Sequence, residues 1–231
     1  MIQEQYKEVA EQVKEAAKRS PYGQEPLLIA VSKTHPVSDL MEAYKAGARD
    51  FGENKVQELM EKMPLMPDDV RWHMIGHLQR NKVKYIVGKV VLIHSVDSLR
   101  LAEEINKESE KAGVISDILV EVNIAEEESK FGTGKEEAIQ LVRAISELPF
   151  VRVRGLMTIA PYTENAEENR VYFKALKNLS IDIKALSIDN ILMDFLSMGM
   201  SGDYRIAIEE GADLVRVGTS IFGARNYGPK A

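Results

Sequence analysis

LLIAVS, Leu27–Ser32, is an unbroken apolar run that stops at Lys33-Thr34-His35-Pro36. It is too short for a buried helix, and Ile29 and Val31 are β-branched. A strand that is apolar at every position, rather than at alternate ones, is buried on both faces. Strands of that kind belong to parallel sheets whose faces are covered by helices.

Working outward, the same strand–helix alternation continues. Upstream, Ile2, Tyr6, Val9, Val13 and Ala16 or Ala17 recur at spacings of three and four, predicting an amphipathic helix that ends at Ser20-Pro21-Tyr22-Gly23. Downstream, further strands are predicted at Arg49–Phe51, Trp72–Ile75, Val90–His94, Ile118–Asn123, Val151–Met157, Ile191–Ser197 and Asp213–Val217. The helices between them are predicted at Val37–Ala46, Asn54–Met63, Arg80–Val87, Leu99–Ala112, Glu136–Leu148, Ala166–Leu179 and Tyr204–Glu210. The stretch Ser180–Asp194 leaves open a loop, a short strand or both.

Alternating βα units imply a parallel sheet. Eight strands in 231 residues predict an α/β fold: a single (β/α)8 TIM-type barrel with an extra N-terminal helix. The helix spans 1–20, the barrel 27–225, and one domain covers 1–231. A doubly wound open sheet competes less well, because no GxGxxG follows the first strand.

Composition narrows the function classes. The net charge of −6 gives no general attraction to nucleic acid or an anionic membrane, although a local basic pocket for one small anion is compatible with it. The absence of cysteine excludes disulfides, thiolate metal sites, Fe–S clusters and a cysteine nucleophile. The first twenty residues are charged throughout and lack the apolar region of a secretory signal, and no apolar run is long enough to span a bilayer. The expected location is the cytoplasm.

In such barrels the site lies at the C-terminal ends of the strands. Strand 1 ends at Lys33. An amine held at an apolar barrel mouth loses proton affinity through desolvation, which frees it to attack a carbonyl. The alternative is a lysine snorkelling to solvent. The loops after strands 7 and 8, Ser197–Gly202 and Arg216–Ser220, carry glycines and hydroxyls where barrels commonly bind phosphate. Either loop alone reads better as turns and caps, with Ser201 capping the helix at Tyr204, but two such loops at the two expected positions favour phosphate. Arg216, inside the last strand, needs a partner: a carboxylate on a neighbouring strand, or a ring nitrogen of a ligand. His73 and His77 lie across a strand end without HExxH, which argues against zinc. His77 and Asn54 are candidate contacts, with a structural histidine and a helix cap as the alternatives. An imine-forming lysine facing a phosphate cradle suggests either pyridoxal 5′-phosphate (PLP) or a Schiff-base aldolase, and Arg216 favours PLP.

The segments AVSKTHP, FGENKVQEL, WHMIGHLQRNK, HSVDS, VNIAEEESKFG, GLMTIAP, LSMGMSGDY and VRVGTSIFG occur in this order from strand 1 to strand 8. They resemble the YggS/PROSC family of pyridoxal phosphate homeostasis proteins, whose barrel is similar to the N-terminal domain of alanine racemase. The resemblance implies PLP as cofactor, bound as a covalent aldimine to Lys33. It implies phosphate contacts from Ser201, Gly218 and Thr219, Arg216 facing the pyridine nitrogen, and Asn54, His77 and Met200 near the cofactor. It implies no catalytic residue and no metal. The expected role is PLP buffering and delivery to PLP-dependent apo-enzymes by a monomer, with a slow amino-acid racemase as the alternative. Two-base racemisation needs a tyrosine from a second domain, for which little chain follows strand 8; Tyr162, Tyr204 and Tyr227 have no assignable role.

Overall fold

Eight parallel strands close on themselves in chain order: β1 (Leu27–Val31), β2 (Asp50–Glu53), β3 (Arg71–Met74), β4 (Leu92–Val96), β5 (Ser116–Glu121), β6 (Val151–Met157), β7 (Ile191–Met200) and β8 (Leu214–Val217). The computed structural model describes residues 1–127 and 131–224. The last barrel position expected from sequence, residue 225, and Lys130 of the AEEESK run therefore lie outside the described residues. β8 returns to β1 with Leu27 opposite Leu214 and Ile29 opposite Arg216, which closes the barrel.

Among the described residues, eight α-helices accompany the strands: α1 (Ile2–Arg19), α2 (Val37–Lys45), α3 (Val56–Lys62), α4 (Leu99–Ala112), α5 (Lys135–Ser146), α6 (Arg170–Ala185), α7 (Tyr204–Glu209) and α8 (Thr219–Phe222). α1 buries Val9, Val13 and Ala16, as its periodicity predicts. It packs along α2, α7 and α8, so it belongs to the outer helical layer. Arg19 pairs with Glu209 at 3.0 Å across that contact.

Two expected elements are corrected. The helix expected at Arg80–Val87 is a 3₁₀ segment, Arg80–Tyr85, with Val83 as its buried residue. Val83, Ile86 and Val87 are all buried, but the span is only about two turns long and closes with the tighter three-residue bonds, Lys82 N–H to the Gln79 carbonyl and Ile86 N–H to the Val83 carbonyl. The helix expected to stop at Leu179 runs on to Ala185, because Leu179 and Ile183 extend the buried face of Phe173 and Leu176. The chain then turns through Ser187 (φ 48°) and Asn190 (φ 64°) into β7.

Apolar packing is divided by the sheet. Phe51, Leu59, Trp72 and Phe173 lie between strands and helices. Ile29, Leu92, Leu119, Met157 and Leu214 fill the barrel interior. Alternation along each strand then places His94, Glu121 and Arg216 inside as well, two residues beyond Leu92, Leu119 and Leu214. All three are buried. Among the described residues, no helix is long and apolar enough to cross a membrane.

Candidate functional site

The C-terminal mouth of the barrel holds a cavity of about 260 Å³. Lys33, Asn54, Met200, Ser201, Arg216, Gly218 and Thr219 all line it, so seven of the eight residues singled out from sequence converge there. His77 does not line it. Its ring stacks on Phe131 at 4.1 Å, and its Nδ1 lies 3.7 Å from Asp97. Val31, His35, Ile75, Ile159 and Gly202 complete much of the wall. Of these, His35 was within reach of sequence reasoning, two residues beyond Lys33 in the same turn.

Lys33 is not on β1 but in the turn after it. It is half-buried, with Val31 below it on the same wall. Across the cavity, the N–H groups of Gly218 and Ser220 donate to Ser201 Oγ at 3.2 and 3.4 Å. Ser201 therefore ties the β7 and β8 loops together instead of capping α7. The N-cap position belongs to Asp203, whose carboxylate accepts from the Met200 N–H at 2.7 Å. A Cβ on Gly218 would sit 3.2 Å from the Val31 carbonyl, so a side chain there would crowd the cradle. Converging backbone N–H groups and hydroxyls of this kind suit a small anion.

Arg216 is 4% exposed. Its guanidinium donates to Ser197 Oγ at 2.5 Å and to the Thr158 carbonyl at 2.8 Å. The expected alternative of a carboxylate partner on a neighbouring strand is not what the structure shows: among the described residues no ion pair involves it. Burial pulls its pKa down to about 10, with Glu121 and Asp203 opposing, so it stays cationic at neutral pH.

Behind Arg216 runs a polar chain that sequence reasoning missed. Ser197 meets His94 Nδ1 at 2.8 Å, His94 Nε2 meets His73 Nδ1 at 3.0 Å, and His73 Nε2 meets Asp50 at 3.0 Å. Arg71 holds the far side of Asp50 at 2.8 Å. Burial above all, then the charges of His73 and Arg216, hold His94 well below its usual pKa, so its ring is neutral. A neutral His94 ring offers one N–H and one acceptor nitrogen to its two neighbours, Ser197 and His73, and His73 turns its other nitrogen to the Asp50 carboxylate. Burial alone would raise the Asp50 carboxyl, but bonds from His73 and Arg71 outweigh it and keep it low.

Asn54 is set by close packing. A Cβ on Gly76 would lie 2.5 Å from the Asn54 carbonyl, so glycine is what allows the β3 loop to press Asn54 towards the cavity. Asn54 Oδ1 is buried without a hydrogen-bond partner, an orphan polar atom beside the cavity. Nearby, burial and then Asp97 push Glu121 up to about 7, with Arg216 opposing. The arrangement thus offers an amine, an anion cradle and a buried cation around one small cavity.

Comparison with known proteins agrees with this fold. The family model for the alanine racemase N-terminal domain matches residues 5–226. A pyridoxal phosphate homeostasis protein of Aquifex aeolicus is 45% identical over 226 residues, which is 97% of this chain and 98% of the relative. A crystal structure from Bifidobacterium adolescentis superposes with a TM-score of 0.90 at 33% identity, covering 96% of this chain and 94% of that one. The structure of PipY from Synechococcus elongatus with PLP bound superposes at 0.80 and 35% identity, covering 93% of this chain and 100% of that one.

Proposed function

The chain belongs to the pyridoxal phosphate homeostasis proteins, built on the alanine racemase N-terminal domain, and from that premise we propose that it binds PLP as a Schiff base on Lys33 and buffers or delivers it to PLP-dependent apo-enzymes. One observation carries this function: Lys33, Arg216 and the Ser201–Gly218–Thr219 cradle line the same small cavity. A phosphorylated pyridine aldehyde fits these residues. The cradle suits its phosphate, Arg216 its ring nitrogen, and the orphan Asn54 Oδ1 a ring hydroxyl. PLP, when bound, supplies a carbonyl that exchanges reversibly between amines, so a competing amine offers a route off Lys33.

Arg216 also disfavours broad PLP chemistry such as transamination, while racemase-type chemistry stays compatible with it. A buried cation beside the pyridine nitrogen disfavours its protonation, and an unprotonated ring is a weaker electron sink. The role we propose, in keeping with the homeostasis-protein relatives, is non-catalytic and carried out by a monomer in the cytoplasm. Phosphate contacts fall to Ser201, Gly218 and Thr219, with Met200 at the cavity edge; His77 would act only from the rim.

The test is the visible spectrum of the full chain with PLP, before and after borohydride, followed by peptide mapping. A yellow species reduced onto Lys33, and lost in Lys33→Ala, is the expected result. No band, or adducts scattered over surface lysines, would overturn the proposal.

A further inference from the structure

Lys33 sits in a turn whose backbone is costly to hold. Thr34, a β-branched residue, has φ 67°. The left-handed region is costly for such a residue unless its surroundings impose it. The surroundings do so on both sides of Lys33. Before it, the Ser32 carbonyl accepts from Lys62 Nζ at 2.7 Å, while Ser32 Oγ donates to Glu53 Oε1 at 2.7 Å. After it, the Thr34 N–H donates to Glu58 Oε1 at 2.5 Å.

Lys62 joins the two halves. Its ammonium, on a side chain 8% exposed, also donates to Glu53 at 2.7 Å and to Glu58 at 2.6 Å. All three of its protons are thereby used on the turn or on the carboxylates that hold the turn. A lysine at the C-terminal end of α3 and a glutamate one turn earlier have converged on the main chain flanking another lysine. Structural support for α3 alone would not require bonds to residues 32 and 34.

We propose that Lys62, with Glu53 and Glu58, is a positioning residue that holds the strained Ser32–Thr34 turn so that the Lys33 amine faces the cavity. The inference rests on Lys33 as the cofactor-bearing residue. It adds that the ability of Lys33 to form the adduct depends on a buried ion-pair clamp outside the cavity wall.

The experiment separates positioning from general damage by using two probes on the full chain. PLP reports adduct formation at Lys33. Pyridoxine 5′-phosphate, which lacks the aldehyde, reports non-covalent binding alone. Glu58→Ala and Lys62→Met should weaken coloured-adduct formation about tenfold, and leave pyridoxine 5′-phosphate affinity nearly unchanged. Burial pushes the Glu53 carboxyl up even with Lys62 beside it, so Lys62→Met strands a buried carboxyl and is the variant at risk of not folding. Glu58→Ala, at a partly exposed residue, carries the test in that event. Thr34→Gly removes the backbone strain and should shrink the Glu58→Ala defect when the two are combined. Equal loss of both ligands, no loss of either, or a defect undiminished by Thr34→Gly would overturn the clamp. A wild-type protein that forms no adduct on Lys33 would instead overturn the cofactor assignment, and the clamp with it.

Discussion

Arg216 donates to Ser197 Oγ at 2.5 Å inside the barrel, and Ser197 is the only link between that cation and the two buried histidines behind it among the described residues. The hydroxyl serves both neighbours, since it accepts from the guanidinium and bonds His94 Nδ1 at 2.8 Å. Ser197→Ala therefore leaves a buried guanidinium N–H and a buried ring nitrogen without this partner. The expected cost is about 1–3 kcal/mol in urea unfolding, together with weaker PLP retention as Arg216 loses a fixed orientation. Unchanged stability and retention would mean the chain is an incidental contact.

Glu121 makes stability depend on pH. Its folded pKa, about 7, lies above the ordinary 4.5. The native state therefore holds this proton more tightly than the unfolded chain. The resulting stability is fully present below the ordinary value and is lost as pH rises through about 7. Its full size is at most about 3 kcal/mol. In the PLP-free protein, Glu121→Gln should unfold like wild type near about pH 4 and be more stable near about pH 8. Thermal unfolding at the two pH values decides it, and an equal difference at both would remove Glu121 as the titrating group.

Most of the barrel was legible because its strands are buried on both faces, which leaves continuous apolar runs such as Leu27–Val31. The mouth was legible because Lys33 and Arg216 interrupt such runs with charge at strand ends. What escaped is interior polarity that involves partners far apart in sequence. Ser197 and His94 are 103 residues apart, and neither spacing nor motif relates them. Lys62 escaped for another reason: it ends a short helix, where a lysine ordinarily reads as solvated, and only the fold shows it to be buried. The helix cap that local sequence also offered for Ser201 is not formed, because the fold supplies the N–H groups of Gly218 and Ser220 instead.

Carrier and racemase make opposite predictions for hydrogen exchange. Wild-type protein loaded with PLP should exchange the α-hydrogen of L-alanine in deuterated water no faster than PLP on an unrelated lysine. Arg216→Gln keeps an amide able to donate to the Thr158 carbonyl while removing the cation from the ring nitrogen. Exchange should then rise about tenfold, the effect of removing one nearby charge. NMR of the recovered alanine measures it. Rapid exchange in the wild type would favour the enzymatic role over carriage.

Gly76 should prove to be a binding determinant although its side-chain-free backbone offers no contact of its own. The Cβ of an alanine would meet the Asn54 carbonyl, Cα and Cβ at 2.5, 2.6 and 2.8 Å. Two of those atoms are backbone, so the strain cannot be relieved by a rotamer change, and the Asn54 segment has to move away. Overpacking of this kind costs about 1–3 kcal/mol. Asn54 lines the cavity with Lys33, so its displacement should lower affinity for PLP and for pyridoxine 5′-phosphate together. That shared loss distinguishes Gly76→Ala from the clamp variants, which act on the covalent step alone. Titration of the purified variant with both ligands is the measurement, and a selective loss of only the coloured adduct would show that Gly76 acts through the Lys33 turn instead of through Asn54.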